Sequence, residues 1–103
     1  MKDTRKYQGI FPAFYACYDD NGAISPERVR ALAEYLIGKG VTGLYVGGSS
    51  GECIYHSKEE RKLVLENVVA AAKGRIVIIA HVACNNTRDS MELAAHEIGR
   101  AHV

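Results

Sequence analysis

Residues 43–52 read GLYVGGSSGE, an apolar run that stops at two glycines, two serines, a third glycine and a glutamate. Glycine lets a backbone take positive φ and approach a ligand closely. Successive N–H groups in such a turn form a concavity for an anion, and serine hydroxyls add donors. The stretch therefore suits binding of a carboxylate or phosphate, with Gly48 and Gly51 bringing the backbone near and Ser49 and Ser50 supplying hydroxyls. It lacks the lysine of a G-x-x-x-x-G-K-[ST] loop and the G-x-G-x-x-G spacing of a dinucleotide site, so a small carboxylate is favoured over a nucleotide. A tight turn whose serines satisfy their own backbone fits the same residues. Physics alone leaves the two readings level.

Cys53, His56, His81 and Cys84 invite a zinc proposal, but their spacing matches no finger, and no metal is expected. His81, on an Ile-rich run, reads as an interior histidine satisfied by hydrogen bonds. Tyr45 reads as core before site. Tyr55 and His56 follow the cradle and would reach substrate or shield the loop. The run Ser57 to Lys62 reads as a capped, solvated helix start. Lys2, Lys6, Lys39, Lys58, Lys62 and Lys73 fall in the N-terminal tail, on helices or at helix ends, none at a strand end facing the site.

The elements that must position these residues follow from periodicity. GIFPAFY, residues 9–15, predicts a strand that Pro12 confines to an edge or a bulge. Asp19 to Gly22 is a turn. Ser25-Pro26 starts a helix with apolar face Val29, Leu32, Ala33, Leu36 and Ile37, closed at Gly40. Val41 to Val46 is a second strand. Ser57 and Glu60 make a capping box for a helix with stripe Val64, Val68, Ala71 and Ala72, closed at Gly74. Arg75 to Val82 is a third strand whose unbroken Ile/Val run predicts burial on both faces. Asn85, Asn86 and Thr87 cap a third helix. This β-α-β-α-β-α order implies parallel strands with right-handed crossovers. A doubly wound sheet and a (β/α)₈ barrel both fit, and in either the ligand sits at the C-terminal ends of the strands, where the glycine-serine stretch lies.

The chain of 103 residues is 48% hydrophobic and 24% charged with formal net charge +1. That balance gives no pull toward nucleic acid or a membrane surface, and no apolar run reaches the ~20 residues of a membrane span. Three widely spaced cysteines fit no disulfide framework, so free thiols and a cytoplasmic address are expected.

GLYVGGSSGE, then Ser57, Glu60 and Arg61 of S-x-x-E-R, then IIAHVACNNT, closely resemble the N-acetylneuraminate lyase and dihydrodipicolinate synthase family over residues 8 to about 96. The resemblance implies the N-terminal part of a (β/α)₈ TIM barrel, about three βα units, from a class I aldolase that binds pyruvate as a Schiff base without a cofactor. The G-G-S-S-G-E form and the AHV after the third strand look more like the lyase branch, which splits sialic acid into N-acetylmannosamine and pyruvate. The alternatives are synthase-type condensation of pyruvate with aspartate semialdehyde, or a carboxylate-binding α/β module without catalysis. The resemblance implies that Ser49 and Ser50 hold the pyruvate carboxylate, with Ser49 also standing where the synthase branch has a hydroxyl relay. Ser50 replaces a threonine of the usual motif. Ala16-Cys17 stands where many members have Thr-Pro, which leaves another 2-keto acid open. Full-length relatives are expected to be homotetramers acting on pyruvate and a sugar or amino aldehyde.

The family's Schiff-base lysine lies on strand six, beyond this stretch, and a barrel takes about 250 residues. Residues 1–96 are therefore expected to be a partial barrel, inactive alone, and 97–103 a non-native tail. Ile98 to Val103 back-translate to ATC GGA AGA GCA CAC GTC, which matches a widely used sequencing adapter. Three strands cannot close a barrel, so open edges are expected, and with them aggregation or a partly molten state.

Overall fold

The computed structural model of the chain describes residues 4–98 and 100. Three extended segments lie side by side in chain order, all parallel. Strand β1 (Gly43–Val46) pairs with β2 (Val77–Ala80), Gly43 opposite Val77 through Val46 opposite Ala80. Residues 10–14 flank the other side of β1 and join it through one parallel bridge, Ala13 to Tyr45. Phe14 N–H donates to the Tyr45 carbonyl at 2.8 Å, and Tyr45 N–H donates to the Pro12 carbonyl at 3.0 Å. The predicted strand over 9–15 is thus reduced to a single bridge. The next rung would need an N–H at position 12 aimed at the Gly43 carbonyl, and proline has none.

Helix α1 (Pro26–Gly38) begins with Ser25, whose hydroxyl accepts from Arg28 N–H at 3.2 Å, and with Pro26 in its first turn. Its face buries Val29 and Ala33 and packs Leu32, Leu36 and Ile37 against the core. Helix α2 (Lys58–Ala72) carries the predicted capping box: Glu60 N–H donates to the Ser57 hydroxyl at 3.1 Å and Ser57 N–H to the Glu60 carboxylate at 2.9 Å. It buries Val64, Leu65, Val68, Ala71 and Ala72. Both helices cover one sheet face, that of Phe14, Leu44, Val46, Ile78 and Ala80. Each fully buried Val or Leu in this layer contributes about 1.5–3 kcal/mol. Helix α3 (Thr87–Glu97) starts at Asn86, whose side chain accepts from Asp89 N–H at 2.8 Å. It lies on α2 through Leu93 and through Lys62–Glu92 and Lys58–Glu92 ion pairs of 2.6 and 3.1 Å.

The predicted two-sided burial of the third strand is not observed. Ile78 and Ala80 are buried, but Val77 and Ile79 are only half-buried, because the helices cover one face alone. β2 is also shorter than the predicted residues 75–82. α3 ends at Glu97, which is buried, its carboxylate 3.1 Å from His96 Nδ1. Of the predicted tail 97–103, residues 99 and 101–103 lie outside the described residues, as do residues 1–3.

The uncovered sheet face carries half-buried Tyr45 and Ile79. The chain is therefore expected to associate with rising concentration in the micromolar range and to bind an apolar dye; a sharp, reversible melt independent of concentration would contradict this. Replacing Ser57 by Ala removes a cap worth about 1 kcal/mol, so α2 amides are expected to exchange roughly fivefold faster in mass-spectrometric hydrogen exchange. The Ser57 amide holds the Glu60 carboxyl below its ordinary range. Its share of the box is therefore present above the usual glutamate pKa and lost as pH falls through the lowered value.

Candidate functional site

β1 ends at Val46, and Gly47 then takes a φ of 80°, which turns the chain across the C-terminal edge of the sheet. Ser49–Gly51 follow as a single 3₁₀ turn. Gly51 N–H and Cys53 N–H donate to the Gly48 carbonyl at 3.0 and 3.3 Å, and Glu52 N–H donates to the Ser49 carbonyl at 2.9 Å. Among the described residues no carbonyl accepts from the N–H groups of Gly48, Ser49 or Ser50, and neither serine hydroxyl bonds to the protein. Both serines are exposed, whereas Gly51 is buried. A Cβ at Gly51 would stand 2.8 Å from the Phe14 carbonyl oxygen, so the turn seats directly on the exit of the first segment. The result is a set of backbone and hydroxyl donors without internal partners, gathered where the strands end.

Two clusters flank these donors. On the first-segment side, the Tyr18 hydroxyl meets His56 Nε2 at 2.6 Å and donates to the Glu52 carboxylate at 3.1 Å. Desolvation, reinforced by the hydrogen bond and charge of Glu52, pushes the Tyr18 phenol above its ordinary pKa. Tyr55 is exposed, while His56 is half-buried. Ala16 is buried and Cys17 adopts a left-handed φ of 64°, its thiol raised by burial.

On the β2 side, Arg61 donates to the carbonyls of His81 and Ala83, each at 2.8 Å, and contacts Cys84 Sγ at 3.1 Å. His81 Nδ1 lies 3.1 Å from the Gly47 carbonyl. A cavity of about 350 Å³ opens between these groups, lined by Ser49, Cys53, His56, Arg61, His81 and Cys84 among others. The four residues that suggested zinc thus border one space. Among the described residues, no group of three or more His, Cys, Asp or Glu side chains is placed to share an ion.

The reading of residues 57–62 as a solvated helix start fails at Arg61, which is only 8% exposed. The signal was present in the sequence: position 61 precedes Val64, Leu65 and Val68 by three, four and seven residues, which extends the apolar stripe back to it. Lys58 also stands nearer the site than predicted, at the edge of the cavity. Its ammonium is tied to Glu92 and Asp89, contacts that raise its pKa and keep it protonated, unfit to attack a carbonyl.

Residues 6–100 match the model of the dihydrodipicolinate synthetase family. An N-acetylneuraminate lyase of Mediterraneibacter gnavus is 62% identical over 99 residues, covering 96% of this chain and 31% of that protein. A solved Ruminococcus gnavus sialic acid aldolase, a catalytic lysine mutant, superposes with a TM-score of 0.96 at 60% identity, covering 99% of this chain and 33% of that one. A prophage protein of the dihydrodipicolinic acid synthase family from Escherichia coli, solved in complex with pyruvate, superposes with a TM-score of 0.86 at 27% identity over 93% of this chain and 32% of that one.

The chain belongs to the dihydrodipicolinate synthetase family. Its architecture is an incomplete part of a TIM-barrel aldolase fold, three parallel segments with their helices. It spans about a third of the length of the relatives it matches.

The seating of the turn makes a direct prediction. Gly51→Ala forces Cβ against a backbone carbonyl, so the amides of Gly51, Glu52 and Cys53 are expected to lose protection while α1 keeps its own; unchanged protection would show that the turn does not rest on Phe14. Tyr18 is expected to titrate above the ordinary tyrosine range by absorbance. Because its folded pKa is raised, its contribution to stability is full below the unfolded value of ~10 and falls away as pH rises from there through the folded value.

Proposed function

We propose that the chain is part of a pyruvate-dependent lyase of the N-acetylneuraminate lyase type, and that its share of the site is the carboxylate cradle. The observation that carries this is the set of unpartnered donors at the strand exits: the N–H groups of Gly48, Ser49 and Ser50 with the two serine hydroxyls. A carboxylate needs convergent donors that a preformed backbone holds in place. The 62% identity to an N-acetylneuraminate lyase favours sialic acid as the substrate.

In this reading the two serines and the turn fix the carboxylate of pyruvate and so orient its keto carbon. Ser49 both donates and accepts, which suits a proton relay. The amine that attacks the keto carbon comes from a strand-six lysine supplied by sequence outside this stretch, so residues 1–103 alone are inactive. The three unpaired cysteines suit a reducing compartment such as the cytoplasm. The whole protein is read as a homotetramer, and residues 97–103 as a non-native tail. The second reading, synthase-type condensation with aspartate semialdehyde, shares the same cradle and draws on the family match.

The test starts with the gene, read through codon 103 from independent template. The whole frame, expressed and treated with pyruvate and borohydride, is expected to carry one covalent adduct on a lysine. Ser49→Ala and Ser50→Ala are each expected to weaken pyruvate binding about tenfold, the worth of one hydrogen bond to a charged group. A frame that closes after Val103, or a full frame that forms no adduct, would replace catalysis with carboxylate binding alone.

A further inference from the structure

We infer that Arg61 is a positioning residue for the cradle, acting through the β2 exit and His81 on the Gly47 carbonyl. The inference rests on the reading of residues 47–51 as a carboxylate site.

Arg61 rises from the first turn of α2, in a place where the apolar stripe would accept leucine or methionine. It is instead a buried cation, and among the described residues no carboxylate pairs with it. Its Nε is buried without a partner. Burying a guanidinium without a counter-charge is costly, so the residue must supply something that an apolar side chain cannot. The structure shows what that is. The planar fork spans two carbonyls two residues apart, His81 and Ala83, and holds the chain extended just past β2.

His81 is thereby fixed at both ends. Its own N–H donates to the Val46 carbonyl at 2.8 Å. Its Nδ1 lies 3.1 Å from the Gly47 carbonyl and 3.5 Å from Arg61. A carbonyl only accepts, so the shorter contact requires the proton on Nδ1, and Arg61 directs its N–H to the His81 carbonyl instead. The consequence reaches the ligand side through peptide geometry. The Gly47 carbonyl and the Gly48 N–H belong to one planar trans peptide and point in opposite directions. Holding the carbonyl on His81 therefore aims the Gly48 N–H, the first donor of the cradle, away from His81 and across the strand exits. Gly47, with its left-handed φ, has little stiffness of its own to hold that plane.

Three variants test this in the protein expressed from its whole reading frame. Arg61→Lys keeps the charge but loses the fork. His81→Leu loses the Nδ1 donor. His81→Asn places an amide N–H where Nδ1 stood. Arg61→Lys and His81→Leu are expected to raise exchange of the Gly51, Glu52 and Cys53 amides about fivefold or more and to weaken pyruvate binding about tenfold. Exchange in α1 and the middle of α2 is expected to stay unchanged, and His81→Asn to remain within about twofold of the parent. Nitrogen-15 spectra are expected to show Nδ1 as the protonated nitrogen of the neutral His81 ring. The inference is overturned if Arg61→Lys matches the parent, if exchange rises equally throughout α2, if Asn is no better than Leu, or if the ring proton sits on Nε2. A parent protein that binds no pyruvate defeats the carboxylate reading, while the exchange data and the ring tautomer still decide the positioning role.

Discussion

Val46 pairs with Ala80 in parallel register, and the next residue on each strand, Gly47 and His81, therefore stands at the same level of the sheet. One residue of slip would send one of these strands' side chains to the opposite face. His81 would then turn into the helix layer and lose the Gly47 carbonyl. The register itself is held by burial of Leu44, Val46, Ile78 and Ala80 under α1 and α2. The packing of an apolar layer thus sets which backbone groups meet at the strand exits.

The core reaches the site by a second route. Phe14 is among the most deeply buried side chains, and its carbonyl is the surface on which Gly51 rests. Anchoring the Phe14 ring under the helices places the floor of the glycine-serine turn. α2 contributes twice, through the stripe that covers the sheet and through Arg61 at the head of that stripe. The same helix thus makes the fold and braces the loop, while the donors that would meet a ligand keep no partner among the described residues. Lys58, which borders the same cavity as Ser49, is held in the ion pairs that fasten α3 to α2.

Much of this was legible in the sequence because local chemistry dictated it. Ser25-Pro26 and the Ser57–Glu60 box mark helix starts by satisfying backbone N–H groups, and those starts stand where predicted. The glycine-serine run announced a turn with free donors at a strand end. What escaped depended on neighbours distant in sequence. Arg61 sits in a run of charges; its place on the apolar stripe could be read from spacing, but its partners, the carbonyls of residues 81 and 83, are brought beside it only by the fold. The third strand's Ile/Val run promised two covered faces, but covering the second face needs elements that these residues do not provide. Pro12 was read correctly as a disturbance, yet its effect, the loss of one specific rung to Gly43, required the register. The family resemblance reached further than periodicity, since alternating elements alone leave the barrel and the doubly wound sheet equal.

In the proposed function, the free donors of residues 48–50 receive a 2-keto acid's carboxylate. The most direct measurement is a crystal structure of the protein grown with pyruvate. Both carboxylate oxygens are expected within hydrogen-bonding distance of the Ser49 and Ser50 hydroxyls and the adjoining N–H groups. Pyruvate bound elsewhere, with those donors left to solvent, would contradict it.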